Sequence, residues 1–95
     1  MNNRYIAPQE GVLDQLRTTL MKIDPDISYG DWIKALMVVF YETKGSDAGL
    51  ALVDQWSSHG KKYRGFRDIE YRWNRFNIAY EKPVRLATLI RMAKG

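Results

Sequence analysis

Apolar residues recur along this chain at intervals of three and four positions, the spacing that places side chains on one face of an α-helix. Five segments carry the pattern, and they predict helices at residues 10–22, 29–43, 47–58, 67–77 and 85–94. No segment predicts a strand with comparable strength. The expected fold is therefore all-α, a compact bundle of about five short helices. Residues 1–9 are expected to form an N-terminal arm and residues 10–95 a single helical domain.

Local signals mark several helix ends. Pro25 should stop the first helix, because proline has no N–H for the helical ladder. Ser28 and Ser46 can cap the second and third helices, because a serine hydroxyl accepts a hydrogen bond from a free N–H of the first turn. Lys44-Gly45 predicts a left-handed end to the second helix. Gly49 lies inside the third helix at a cost of about 1 kcal/mol relative to alanine, which a close approach to a neighbouring helix would explain.

Composition narrows the class of protein. There is no cysteine, which excludes disulfides and thiolate metal sites. The longest apolar run, residues 35–41, falls far short of the roughly 18 residues that a membrane span needs. No apolar run typical of a signal peptide follows Met1. We therefore expect a cytoplasmic protein without membrane contact, and no cofactor.

The charge is divided unevenly along the chain. Residues 1–55 carry five basic and eight acidic side chains, a net charge of −3, whereas residues 56–95 carry ten and three, a net charge of +7. A basic half attracts polyanions, of which nucleic acid is the commonest.

Much of the positive charge lies in residues 59–67, which we call the basic loop. Arg75 and Arg85 lie beyond it without an obvious acidic neighbour, whereas Arg72 can pair with Asp68 four residues earlier. The candidate nucleic-acid contacts are Lys61, Lys62, Arg64, Arg67, Arg75 and Arg85. They would hold phosphates, and exposed aromatic faces could stack unpaired bases.

The aromatic residues also have a purely structural interpretation, which we favour. Tyr63 and Phe66 of the basic loop are expected to fold into the core. Trp32, Trp56 and Trp73 fall on the apolar faces of three helices, where large side chains contribute most of the buried area.

No catalytic constellation stands out. Asp24 and Asp26 have the spacing of a Mg²⁺-binding pair, but they flank a helix-breaking proline, and a turn with a charge at a helix end explains them better. Residues 45–49 are glycine-rich without the following Lys-Ser/Thr of a phosphate-binding loop. His59, the single histidine, suits a helix-end charge better than a catalytic base.

Residues spread over about Thr18 to Ala93 match a known pattern in order and spacing. They are Tyr29, Trp32, Ile33, Gly45, Gly49, Leu52, Trp56, Ser57, Lys62, Tyr63, Trp73, Phe76, Leu86, Thr88, Leu89 and Ala93. In this the chain resembles the second type of primase C-terminal domain, which occurs beside primase and helicase modules in replication proteins of phages, plasmids and integrated elements. It departs from the pattern at residues 85–89, where the family usually has Thr-x-Gly-Thr-Leu, and in having no adjoining primase or helicase module.

The resemblance implies an all-α domain that acts in DNA replication without catalytic residues of its own. The family context gives a primase or helicase domain as the expected protein partner, and the basic half of the chain gives template or primed DNA as the expected nucleic-acid partner. One hypothesis is DNA contact through the basic residues listed above. Another is a protein-interaction module that docks a primase to a helicase, with an exposed apolar patch formed by Val38, Val39, Tyr41 or Met92. The chain could be a fragment or a free-standing protein, and its oligomeric state stays open.

Overall fold

The structure, a computed structural model, describes residues 8–76 and 86–94, with side chains described from Gly11 onward. Within these ranges the secondary structure is entirely helical. The helices, in chain order, are α1 (Pro8–Leu20), α2 (Tyr29–Glu42), α3 (Asp47–Ser57), α4 (Phe66–Trp73) and α5 (Leu86–Ala93). The predicted all-α bundle is confirmed. None of these helices is long and apolar enough to cross a membrane.

Three helix ends differ from the predicted ones by two residues or more, and one of them is the end of α1, which lies at Leu20 instead of residue 22. α1 begins at Pro8, two residues early, because a proline at the first helical position has no N–H that needs a partner. α4 ends at Trp73, four residues early. There the N–H groups of Arg75 and Phe76 bond the carbonyls three residues before them, at 3.2 Å each, a tight turn that closes the helix.

The caps follow the sequence signals. The hydroxyl of Ser28 accepts a hydrogen bond from the N–H of Asp31 at 3.2 Å, and that of Ser46 accepts one from the N–H of Gly49 at 3.1 Å. Lys44 and Gly45 both have positive φ angles, 56° and 72°. The N–H of Gly45 bonds the carbonyl of Phe40 at 2.8 Å, which is the closing bond of a Schellman motif.

The centre of the core is α2, which contacts α3, α4 and α5. Its residues Ala35, Leu36, Val38 and Val39 have no exposed surface. The other helices add buried apolar side chains around them: Leu16, Leu20, Leu50, Leu52, Val53, Trp56, Ile69, Trp73 and Leu89. The exposed patch that the protein-docking hypothesis placed at Val38 and Val39 is therefore absent, and Tyr41 and Met92 are half-buried against the same core.

The corner between α2 and α3 explains Gly49. A Cβ at this position would overlap Oγ1 of Thr43 and would lie 3.1 Å from Cη2 of Trp73. Thr43 is buried, and its hydroxyl donates to the carbonyl of Val39 at 2.7 Å. The ring of Trp73 packs edge to face with Phe40 at 5.1 Å. The missing side chain of Gly49 thus lets α3 come close to the end of α2 and to α4.

The expectations for the aromatic residues are met in most cases. Trp56 and Trp73 are buried, while Trp32 and Tyr63 are half-buried against the core. Phe66 was expected in the core but is 42% exposed. It is the first residue of α4, beside the exposed basic loop, whereas Ile69 and Trp73 further along provide the buried face of that helix.

Candidate nucleic-acid interface

The basic loop is held by a single carboxylate. Oδ2 of Asp26 accepts a hydrogen bond from the backbone N–H of Lys61 at 2.8 Å, and Oδ1 accepts one from the N–H of Lys62 at 3.0 Å. These two bonds, with the nearby lysine charges, lower the pKa of the Asp26 carboxyl below its ordinary value of 3.8 against the opposing effect of desolvation. Hydrogen bonds to the charged form favour that form. The Asp24–Asp26 turn thus anchors the basic loop.

The same turn confirms one sequence interpretation and extends it. Oδ1 of Asp24 accepts a hydrogen bond from the N–H of Asp26 at 2.9 Å, as expected for a turn built on an aspartate. Within the described residues, no group of three or more acidic, histidine or cysteine side chains could hold a metal ion. What the sequence did not indicate is the contact of Asp26 with residues 35 and 36 positions away.

Gly60 makes the anchor possible. A Cβ there would lie 2.7 Å from Oδ1 of Asp26 and 3.2 Å from the Pro25 ring. The approach of the carboxylate to the backbone of the basic loop therefore depends on the absence of a side chain at residue 60. The sequence indicated Gly60 only as the end of α3.

The four cations of the basic loop are all exposed: Lys61, Lys62, Arg64 and Arg67. In the part of the chain that the structure describes, none of them forms a salt bridge. The ammonium of Lys62 lies 3.4 Å from the carbonyl of Ile27, and its charge is one of those that lower the pKa of Asp26. These side chains are available to an anionic partner.

The two remaining candidates, Arg75 and Arg85, follow the basic loop in the sequence. Arg75 lies past the end of α4 with its guanidinium 5.3 Å from the ring centre of Tyr71, and it donates to the Tyr71 hydroxyl at 3.3 Å. Arg85 lies outside the described residues. The structure therefore brings four of the six predicted contacts together and places Arg75 beside an exposed tyrosine further along α4.

Next to the basic loop, a cavity of about 200 Å³ opens between the start of α2 and α4. Tyr29 and Trp32 of α2 form its aromatic wall, Lys62 and Arg64 reach it from the basic loop, and Asp68 and Arg72 reach it from α4. We call it the aromatic cavity. Its lining combines flat rings with cations, the pairing that proteins use to bind single-stranded nucleic acid.

Arg72 organises this cavity. Its Nε donates to Oδ1 of Asp68 at 3.2 Å, which confirms the predicted pair. Its Nη1 also donates to the hydroxyl of Tyr29 at 2.6 Å, and its guanidinium lies 5.3 Å and 5.4 Å from the ring centres of Tyr29 and Trp32. The latter contacts are cation–π interactions. Helical spacing gives the Asp68 pair, but the tyrosine lies 43 residues away.

Two further hydrogen bonds hold aromatic side chains of the cavity lining in place. Nε1 of Trp32 donates to the buried hydroxyl oxygen of Ser57 at 3.0 Å, which sets the plane of the indole ring. The hydroxyl of Tyr63 donates to Oδ1 of Asp54 at 2.6 Å, and this bond is the main reason that the pKa of Tyr63 is raised above its ordinary value of 10.0. Tyr63 thereby ties the basic loop to α3.

A known protein family matches most of the chain. The family model described as primase C terminal 2 (PriCT-2) matches residues 16–93. The chain belongs to this family. The resemblance noted in the sequence is thus confirmed, and the protein is a primase-associated C-terminal domain. No curated protein and no solved structure matches the chain.

Within this PriCT-2 domain the family pattern and the candidate interface overlap. Tyr29, Trp32, Ser57, Lys62 and Tyr63 belong to the residues that carried the resemblance, and all of them line the aromatic cavity. Asp26 and Arg72 line it too, although they were not among the residues that carried the resemblance. The sequence indicated the pairing of Arg72 with Asp68 but gave no signal for its contact with Tyr29, because the two residues are 43 positions apart.

Proposed function

We propose that this PriCT-2 domain is a non-catalytic accessory domain of a primase, and that it contacts template or primer DNA through the basic loop. The observation that supports this most directly is a set of four exposed cations that form no salt bridge within the described residues. They lie on a loop whose backbone Asp26 holds in place. Such a surface attracts phosphates without reading base sequence.

The anchoring matters for affinity. A loop that is already ordered loses little further conformational freedom when it binds, whereas a mobile loop must be ordered at a cost in affinity. The backbone bonds from Lys61 and Lys62 to Asp26 keep the start of the loop fixed, and the bond from Tyr63 to Asp54 fixes its middle. Arg67 stands on the first turn of α4.

A specific surface also favours the second candidate function, docking to a primase or helicase module. A groove of about 370 Å³ lies between α1 and α3, lined by Leu20, Ile23, Leu52 and Trp56. Met21 borders it and is 79% exposed. The four lining side chains are themselves almost fully buried, with 1% to 7% exposed. The apolar surface that a partner module could cover here is therefore mainly that of Met21.

The test of DNA contact is a salt titration of binding to labelled single-stranded and primed DNA. The Lys61→Glu/Lys62→Glu/Arg64→Glu variant is compared with wild type. We expect its affinity and its salt dependence to fall together, because each lost phosphate contact on a single strand removes about 0.7 from the slope of log K against log salt.

The matched control is Lys22→Glu/Lys34→Glu/Lys44→Glu, three exposed lysines outside the basic loop. It changes the net charge by the same amount and should keep most of the wild-type slope. Circular dichroism must first show that both variants are folded. Absence of wild-type binding at low salt would refute the proposal, and equal losses in the two triple variants would reduce it to an effect of net charge.

A further inference from the structure

We infer that the aromatic cavity holds one unpaired nucleobase, so that the domain binds single-stranded DNA in preference to duplex. This rests on the proposed DNA contact and goes beyond it, because the basic loop alone would bind any phosphate backbone. The inference is carried by the position of Tyr29, Trp32 and Arg72 directly beside Lys62 and Arg64.

Tyr29 supplies an accessible ring in a fixed position. Tyr29 is 60% exposed, so its ring is accessible from solvent. Its hydroxyl is nevertheless held by Arg72 at 2.6 Å. A ring that is exposed and already oriented can stack a base with little loss of side-chain freedom.

Trp32 and Arg72 complete the flat surfaces. The ring centres of Tyr29 and Trp32 are 5.9 Å apart and their planes are tilted by 42°. The two rings are therefore not stacked on each other, and the cavity opens beside both. The guanidinium of Arg72 adds a third planar group, and proteins use such planes to stack single-stranded bases.

The charges around the cavity favour a nucleotide over a neutral ligand. The two carboxylates of the lining are already engaged, that of Asp26 by two backbone N–H groups and that of Asp68 by Arg72. Lys62 and Arg64 form no salt bridge within the described residues. They remain to receive the phosphates that flank the bound base.

Strand preference follows from the geometry of the duplex. A base within a duplex is stacked on both faces and paired at its edge, and its extraction costs several kcal/mol, whereas a base of a single strand is free to turn outward. A cavity lined by rings therefore selects single strands, while the cations next to it do not discriminate.

The first test uses the wild-type protein. Binding of an oligothymidylate is compared with binding of an abasic strand of equal length, which keeps the phosphates and lacks the bases, and with a duplex that contains the same sequence. We expect the abasic strand and the duplex to bind about 5- to 100-fold more weakly than the oligothymidylate, in line with the contribution of one stacked base. Equal affinity for the normal and abasic strands would overturn the inference.

The second test uses Tyr29→Ala, with Tyr71→Ala as the matched control. Tyr71 is 61% exposed and has Arg75 over its ring at 5.3 Å, but it does not line the cavity. Tyr29→Ala should lower the affinity for the oligothymidylate by about the same 5- to 100-fold, with the salt slope and the affinity for the abasic strand unchanged. Tyr29→Phe keeps the ring but loses the hydrogen bond from Arg72, so its affinity for the oligothymidylate should lie between those of wild type and Tyr29→Ala.

The outcomes separate the two proposals. If the wild-type protein binds no strand, the proposed DNA contact itself fails. If it binds with a steep salt slope but Tyr29→Ala and Tyr71→Ala behave alike, the DNA contact stands and the base-binding cavity is refuted. That last result would assign the cavity to another occupant, such as an apolar side chain of a partner protein.

Discussion

The connections before and after α3 are held in place by different kinds of interaction. The α2–α3 corner is short and partly buried, and it is fixed by the fit of Gly49 against Thr43 and Trp73. The α3–α4 connection carries the basic loop, is largely exposed, and is fixed by hydrogen bonds to Asp26 and Asp54. The first needs close packing, whereas the second needs polar anchors.

The difference shows that in this domain one connection contributes to the stability of the fold, while the other holds charged side chains in an exposed position. A loop of four cations cannot be ordered by burial, because burying unpaired charges is too costly. Hydrogen bonds to its backbone order it while the charged side chains stay in water. Changes at the corner should therefore unfold the domain, and changes at the anchors should loosen the basic loop within an intact fold.

The largest effect is expected at Trp73. Trp73→Ala removes a buried ring that packs on Phe40 and covers Gly49, and it should lower the free energy of unfolding by about 3–5 kcal/mol. Urea denaturation followed by circular dichroism measures this. The control on the same helix is Tyr71→Ala, which should change stability by less than about 0.5 kcal/mol. Similar losses in the two variants would contradict the assignment of the core.

The second-largest loss of stability is expected for Gly49→Ala. The added Cβ would overlap Oγ1 of Thr43, so the free energy of unfolding should fall by about 1–3 kcal/mol, as for other overpacked sites. Gly11→Ala is the matched control, because an added Cβ meets nothing within 4 Å in α1. It should stabilise the protein by up to about 1 kcal/mol through helix propensity. Thermal or urea unfolding of the pair tests the opposite signs.

Asp26→Asn should affect the basic loop more than the global fold. The variant keeps one acceptor oxygen but loses the second and the charge, so the amides of Lys61 and Lys62 should exchange hydrogen faster while amides of α2 stay protected. Because the folded-state pKa of Asp26 is lowered from 3.8, its contribution to stability is present above that pH and is lost as the pH falls through the folded-state value.

Acid unfolding of wild type and Asp26→Asn therefore provides the check. The stability difference between them should shrink as the pH drops below about 4. A constant difference, or unchanged exchange at Lys61 and Lys62, would show that the carboxylate does not anchor the basic loop.

The smallest expected effect is a shift in the pKa of a single group, the phenol of Tyr63. Its raised pKa means that the neutral phenol is favoured in the fold, so the contribution of this group is present below pH 10.0 and is lost as the pH rises through the folded-state pKa. Asp54→Ala removes the acceptor and should lower the pKa of the phenol toward its ordinary value, while desolvation still raises it. Absorbance titration of the phenolates measures this against Tyr63→Phe, which identifies the signal. No change in the titration curve of Asp54→Ala would disprove the contact.

Much of the fold could be predicted from local sequence. The caps at Ser28 and Ser46 involve residues three positions apart, and the Asp68–Arg72 pair involves one helical turn. Such contacts form whenever the helix forms, so spacing alone reveals them. Phe66 shows the limit of the approach: its apolar character suggested burial, but its place at the start of α4 leaves it exposed.

The sequence by itself determined the class of the fold, the approximate extents of its helices, the basic character of residues 59–67 and the primase C-terminal family. Only the tertiary structure decided that Asp26 anchors that loop and that Arg72 joins Tyr29 and Trp32 beside it. These contacts span 35 to 43 residues. Their partners are set by how α2, α3 and α4 pack, and helical periodicity records which face of a helix is buried but not which distant polar group lies opposite.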